Sequence, residues 1–217
     1  MEDKKEKLPS TRIQCDTGIL GKLHSNLWKY WIFNAEIFTF FDKKELCMDV
    51  IIRNVREEDL PAVVDIKIKG WQSAYKDIVD NKYLDNLNNE YDIRIEKMKK
   101  NYMTNGFIVA ELKDEVVGFC RYAFDNSFSP EIEKADCELC AIYIKPELKY
   151  SGIGTKMFNY VVNEFKKKNK TKMIIWCLKD NEPSKKFYTK MGGKIIKEKE
   201  TIIEEKQYQE CCFEYSI

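Results

Sequence analysis

Residues 142–157 read Ile-Tyr-Ile-Lys-Pro-Glu-Leu-Lys-Tyr-Ser-Gly-Ile-Gly-Thr-Lys-Met, and they constrain the fold more than any other stretch. Alternating apolar residues end at Pro146. A loop with Gly152 and Gly154 follows, and a helical pattern starts at once, with Met157, Phe158, Val161, Val162 and Phe165 on its inner face. A strand, a tight loop and a helix in immediate succession require a layered α/β architecture. Glycines let backbone N–H groups turn toward one point, and a helix N-terminus adds partial positive charge there. Such a loop suits a phosphate or pyrophosphate, or it is an ordinary strand-to-helix turn. It is not a dinucleotide fingerprint, because Met157 stands where the third Gly or Ala belongs. Nor is it a P-loop, because Thr155-Lys156 is followed by Met157.

The rest of the pattern is mixed. Val50–Asn54 predicts a strand, and Glu58–Tyr75 a helix with Pro61 in its first turn, where proline is tolerated. A second helix is expected from Glu90 to Tyr102. Phe107–Leu112 and Val116–Ala123, joined by Lys113-Asp-Glu, predict a hairpin, and Ala135–Ile144 a third antiparallel strand. After the helix from Ile153 to Lys168 come a strand at Met173–Cys177, a short helix at Glu182–Met191 and a final hairpin over Lys194–Ile203 and Gln207–Tyr215.

Upstream of Met48 the texture changes. Residues 1–16 are polar. Leu20, Leu23, Leu27, Trp31, Phe38 and Phe41 then share one face if helical, but Lys29, Asn34 and Glu36 interrupt the apolar run well short of the roughly 20 residues a membrane span needs. The chain is therefore expected to divide into an extension, 1–47, and a domain, 48–217. The extension is either a docking helix or an upstream addition to a domain that once began at Met48.

Thirty-seven basic residues face 36 acidic ones, a balance that gives no global field for nucleic acid or an anionic membrane. Lys166, Lys167, Lys168 and Lys170 suit a helix C-terminus without any nucleic-acid role. Eight scattered cysteines in a chain this large read as reduced thiols, hence a cytoplasmic protein. The single histidine, His24, argues against Ser/His/Asp, Cys/His and multi-histidine zinc chemistry, and no metal is expected. Cys137-Glu-Leu-Cys140 has half a zinc-knuckle spacing without a second half, and is read as two packed cysteines.

Lys149-Tyr-Ser-Gly152-Ile-Gly154 after Tyr143-Ile-Lys-Pro146 resembles the signature of the GNAT superfamily of acyl-CoA-dependent N-acyltransferases. Lys149 replaces the usual Arg or Gln, and Tyr150 takes a place often held by Gly. Lysine lacks the guanidinium fork, which weakens a pyrophosphate contact that the backbone amides otherwise supply. Asn181-Glu-Pro-Ser184-Lys-Lys-Phe-Tyr188-Thr-Lys-Met-Gly192 resembles a second family segment, and Ile51-Ile-Arg53 with Glu58-Asp59-Leu-Pro the family opening. The resemblance covers about 48–217. It implies an α/β fold with a mixed, largely antiparallel sheet of about six or seven strands, splayed in the middle and flanked by about four helices.

It also implies chemistry. Acetyl-CoA is the co-substrate, entering where two strands part. Its pantetheine arm pairs with the backbone of Ile142, Tyr143 and Ile144, and one amide, of Ile142 or Tyr143, polarises the thioester carbonyl. Lys149, Tyr150, Ser151, Gly152, Ile153, Gly154 and Thr155 form the pyrophosphate cradle, and Asn181 and Ser184 lie nearby. A neutral amine attacks directly. Glu138 is the expected proton acceptor, or else a strand glutamate on a solvated face. Tyr188 is the expected donor to the departing thiolate, or else a packed aromatic. Trp71, Tyr75 and Tyr83 are expected to wall the acceptor site or to belong to the core. The resemblance points to a small-molecule amine or amino acid derivative. Protein acetylation and a silent acyl-CoA-binding module are the alternatives, and a homodimer is frequent in the family.

Overall fold

The computed structural model describes residues 49–103 and 106–217. The 1–47 extension, with its expected helix, His24, Cys15 and Cys47, lies outside them. The described chain begins with β1 (Ile51–Asn54), and a 3-10 turn leads into α1 (Leu60–Ala74). α2 (Asn81–Asn86) is capped by Asp80, which accepts from the Lys82 amide at 2.8 Å. This short helix is absent from the sequence expectation, which placed only one helix between residues 75 and 106. α3 (Tyr91–Lys99) follows. Then come β2 (Gly106–Leu112), β3 (Glu115–Ala123), β4 (Cys137–Ile144), α4 (Ile153–Lys167), β5 (Lys172–Leu178), α5 (Glu182–Lys190), β6 (Lys194–Ile203) and β7 (Lys206–Ser216).

The strands form one seven-stranded sheet in the order β1-β2-β3-β4-β5-β7-β6. All neighbours are antiparallel except β4 and β5, which run parallel and pair only at Cys137 with Met173 and Glu138 with Ile174. Beyond those two pairs the strands part. The cause lies in β4: Arg121 opposes Ala141 and Tyr122 opposes Leu139, so Cys140 is a bulged residue. A bulge bends its strand and increases the local twist, which swings the end of β4 away from β5.

The bulge also inverts the facing of β4. Cys137 and Leu139 before it share the α4–α5 core with Ile142 and Ile144 after it, while Ala141 and Tyr143 pack on the α1 side. The expectation of two packed cysteines holds for Cys137 alone, because the bulge leaves Cys140 exposed.

One sheet face is covered by α4 and α5, with Met157, Phe158, Val161, Phe165 and Tyr188 against Ile108, Leu139, Ile175 and Phe213. The other carries α1, whose Leu60, Val63 and Ile66 meet Phe107, Val109 and Phe119. Each such side chain contributes about 1.5–3 kcal/mol on burial. A further edge of α1, Val64 and Ile68, packs with Tyr75, Leu84, Leu87 and Leu178, tying the α2–α3 segment to the end of β5.

Candidate active site

The loop after β4 takes the form its glycines require. Gly152 has φ 93°, in the left-handed region, and Lys156 is the first amide to bond back into the turn, onto the Gly152 carbonyl at 3.0 Å. The amides of Ile153, Gly154 and Thr155 therefore point outward from the start of α4. Ser151 is buried and donates to the Leu148 carbonyl at 2.7 Å, which fixes the loop from within. Tyr150 also has positive φ, 65°, with an exposed side chain, which explains why glycine suits that place. Lys149 donates to Ser73 Oγ of α1 at 2.9 Å, so its ammonium stands at the cradle's α1 rim.

The gap between β4 and β5 opens directly from this cradle. The Lys145 amide donates to the Val117 carbonyl at 2.9 Å, so by alternation Tyr143 bonds to β3 while Ile142 and Ile144 turn their amides and carbonyls toward the gap. This corrects the expectation for Tyr143, whose backbone is committed to its neighbour strand. Its side chain instead packs beneath α1, where Gly70 admits it: a Cβ at Gly70 would meet Tyr143 Cδ1 at 2.7 Å.

Glu138 lies at the mouth of the gap, in the last pair before the strands part. It is buried at 5% exposure, and its Oε2 has no hydrogen-bond partner. Burial raises its pKa above the ordinary carboxylate range, and a bond from the Ser129 hydroxyl works in the opposite sense. Ser129 is itself buried and accepts from Trp176 Nε1 at 3.0 Å. The reading of Glu138 as a solvated strand residue does not hold. A carboxylate whose proton affinity is raised and one of whose oxygens is unengaged is suited to take a proton from an ammonium.

Asn181 caps α5, its Oδ1 accepting from the Ser184 amide at 3.2 Å. Its side chain and the Tyr143 phenol both lie close enough to the Tyr75 hydroxyl to lower its pKa against the effect of burial. Tyr75 is the C-cap of α1 and is buried. Burial raises the pKa of Tyr75, and that of Tyr188 well above the free phenol, so both stay protonated. Tyr188 is held by its backbone carbonyl, which accepts from Tyr215 Oη at 3.0 Å, and its ring packs on Phe187 and Phe213. Trp71 meets Tyr75 and Tyr83 edge-on, with centroids 4.8 and 6.0 Å apart. Its Nε1 is buried without an acceptor in bonding geometry, although it lies near the Tyr143 phenol. Tyr83 also lines a cavity of about 460 Å³ between the α2–α3 segment and the β6–β7 turn, a cavity that neither Trp71 nor Tyr75 reaches.

The acetyltransferase (GNAT) family profile matches residues 71–193, more than half of the chain and the whole of this site between α1 and α5. The chain belongs to the GNAT family. It is 28% identical over 139 residues to an N-acetyltransferase of Bacillus subtilis, YuaI, covering 64% of this chain and 77% of that one. It is 25% identical over 152 residues to spermidine N(1)-acetyltransferase of Thermoplasma acidophilum, covering 68% and 90%. The PaiA N-acetyltransferase of that organism, solved with coenzyme A, superposes with a TM-score of 0.59 at 20% identity, covering 77% of this chain and 99% of that one.

This GNAT enzyme is an N-acetyltransferase with the expected fold. Among the described residues no His, Cys, Asp and Glu side chains gather to hold a metal, and no helix is long and apolar enough to cross a membrane. Three cations on the elements around the sheet's α1 face escaped the sequence reading: Lys67 on α1, Arg94 on α3 and Arg121 on β3. The signal was present, because Lys67 interrupts Val63–Ile68 and Arg121 interrupts Val116–Ala123, as Glu138 interrupts its own apolar strand.

Proposed function

We propose that the enzyme transfers the acetyl group of acetyl-CoA to the primary amine of a small molecule by direct attack within a ternary complex. The observation that carries this reading is the gap itself. The outward backbone groups of Ile142 and Ile144 lead from the amides at the start of α4 to the orphaned carboxylate oxygen of Glu138. A ligand with a pyrophosphate at one end and a hydrogen-bonding amide arm fits this sequence of groups. In that complex Lys149 and the amides of Ile153, Gly154 and Thr155 hold the pyrophosphate. Ile142 meets the thioester carbonyl, Glu138 takes the proton of the incoming ammonium, and Tyr188 donates to the departing thiolate. A neutral amine attacks the carbonyl carbon, the C–S bond breaks, the sulfur leaves with the Tyr188 proton, and the surplus proton on the new amide nitrogen returns to the Tyr188 oxygen.

Thiol release from acetyl-CoA in the presence of a panel of primary amines tests the proposal. Amine-dependent release with a matching N-acetyl product is the expected result, and release independent of any amine would refute it.

A further inference from the structure

Lys67, Arg94 and Arg121 come from three different elements, α1, α3 and β3, so no helical or strand periodicity brings them together. Lys67 is largely withdrawn from water. Its pKa is lowered by burial first, and then by Arg94 and Arg121 acting as like charges. Arg121 is steadied by the Phe107 ring, 5.4 Å from its guanidinium carbon. Neither Lys67 nor Arg121 forms an ion pair with any described carboxylate, and the buried Nε of Arg94 has no acceptor. Only the outer end of Arg94 is engaged, by the exposed Glu90 at 2.8 Å. Gathering three cations with so little compensation is costly, and clusters of that kind mark sites that await an opposite charge.

Their position says whose charge it is. Arg121 faces Ala141, beside the bulge. On β3 Arg121 opposes Ala141, and Ala123, two residues further on, opposes Glu138, so Arg121 and the expected proton acceptor stand on one face of the sheet on either side of the bulge. Arg94 also lines the 460 Å³ cavity between α2–α3 and the β6–β7 turn, which neither Lys67 nor Arg121 lines. The phosphates of the co-substrate belong elsewhere: the cradle starts beyond Lys145, about 13 Å along the strand from Ala141 at ~3.3 Å per residue.

We infer that Lys67, Arg94 and Arg121 form an anion-recognition site for the acceptor, which is therefore a short amine bearing a carboxylate or phosphonate, an amino acid rather than a polyamine. This rests on the acetyl-transfer reading above. The amine end approaches Glu138 while the anionic end engages Arg121 and Lys67 and takes up the open Nε of Arg94. A polyamine, such as the acceptor in the name of the Thermoplasma relative, would bring further positive charge toward the same cluster.

Two measurements decide it. The first is acceptor kcat/KM for glycine, alanine, methionine, lysine and glutamate as free acids, beside their carboxamides, aminomethylphosphonate and spermidine. Charge-assisted hydrogen bonds of about 1.5–3 kcal/mol correspond to a preference of about ten- to a hundredfold for the anionic acceptors. Phosphonate turnover without carboxylate turnover would assign the head group to that class. Lys67→Met and Arg121→Gln should raise the acceptor KM and erase the preference at unchanged acetyl-CoA KM, with Arg121→Lys restoring part of it. The second is calorimetric titration of the N-acetyl acids and their carboxamides into the CoA-saturated enzyme. Tighter binding of the acids, lost in Arg121→Gln, is expected. Equal binding of acid and amide overturns the inference whether or not any amine turns over. A persisting acid preference with no thiol release from any amine would instead refute acetyl transfer and leave the anion site standing.

Discussion

Glu138 is placed where its charge costs the fold something. Its pKa is raised in the folded state, so ionisation is disfavoured there relative to the unfolded chain. The penalty is absent at pH values below the ordinary carboxylate pKa, about 4.3, grows as pH rises toward the raised value, and stays in force above it. Glu138→Gln should therefore unfold at a higher temperature than the wild type at neutral pH, with the difference vanishing in acid, while kcat falls by about 10²- to 10⁴-fold. Thermal melts at several pH values and a pH–rate profile check both halves, and equal melting temperatures at neutral pH would refute the penalty. Tyr188→Phe should lower kcat by at least about tenfold and leave the acetyl-CoA KM within about twofold, because in the proposed mechanism the phenol acts on the leaving sulfur while the ring packing is conserved. The two proposed residues stand out in the sequence as a charge inside an apolar strand and a tyrosine in a recognisable segment, and what the structure adds is their burial. The same logic applied to Lys67 and Arg121, but a lone lysine on a helix reads as solvated until the structure brings Arg94 and Arg121 to it.

Among the elements, the hydrophobic periods located nearly every strand and helix of the domain to within a few residues, since each buries one continuous face. What they missed was α2, a six-residue helix whose helical turns are set by the Asp80 cap and by Leu84 docking on the α1 cluster. The bulge at Cys140 was equally hidden. No glycine marks it, and the one-residue shift it makes leaves β4 apolar on both faces. The contact of α1 with β4 gives a test of how tightly these elements are fitted. Gly70→Ala would drive a methyl to 2.7 Å from the Tyr143 ring. We expect a loss of about 1–3 kcal/mol in denaturant unfolding, the usual cost of overpacking, and a raised acetyl-CoA KM as Tyr143 shifts along with the strand that carries Ile142 and Ile144.

At the scale of the whole molecule, the leading edge of the sheet is secured by one charged knot. Arg53 of β1 donates to both Asp59 oxygens, at 2.6 and 2.8 Å, and to Glu111 of β2 at 2.7 Å, fastening the entry to α1 onto the sheet. Burial alone would raise the Asp59 pKa, but the Arg53 bonds and the Arg56 amide outweigh it and hold the carboxyl below its usual range. That stability is present above the unfolded carboxylate pKa and is lost as pH falls through the lower folded one. Arg53→Met should cost about 3–5 kcal/mol at neutral pH, because it strands a buried carboxylate, and the cost should shrink in acid as Asp59 protonates. Urea titrations at neutral and acidic pH would show the convergence. The sheet's other singular point is Cys140, a surplus residue in the middle of β4. Remove it, and β4 would run straight, its hydrogen-bonding edge could zip onto β5 for its full length, and the sheet would become continuous. Such a protein would be better knit and chemically inert. In the proposed mechanism the capacity to act is carried by one residue of slack in a strand that would otherwise have closed upon its neighbour.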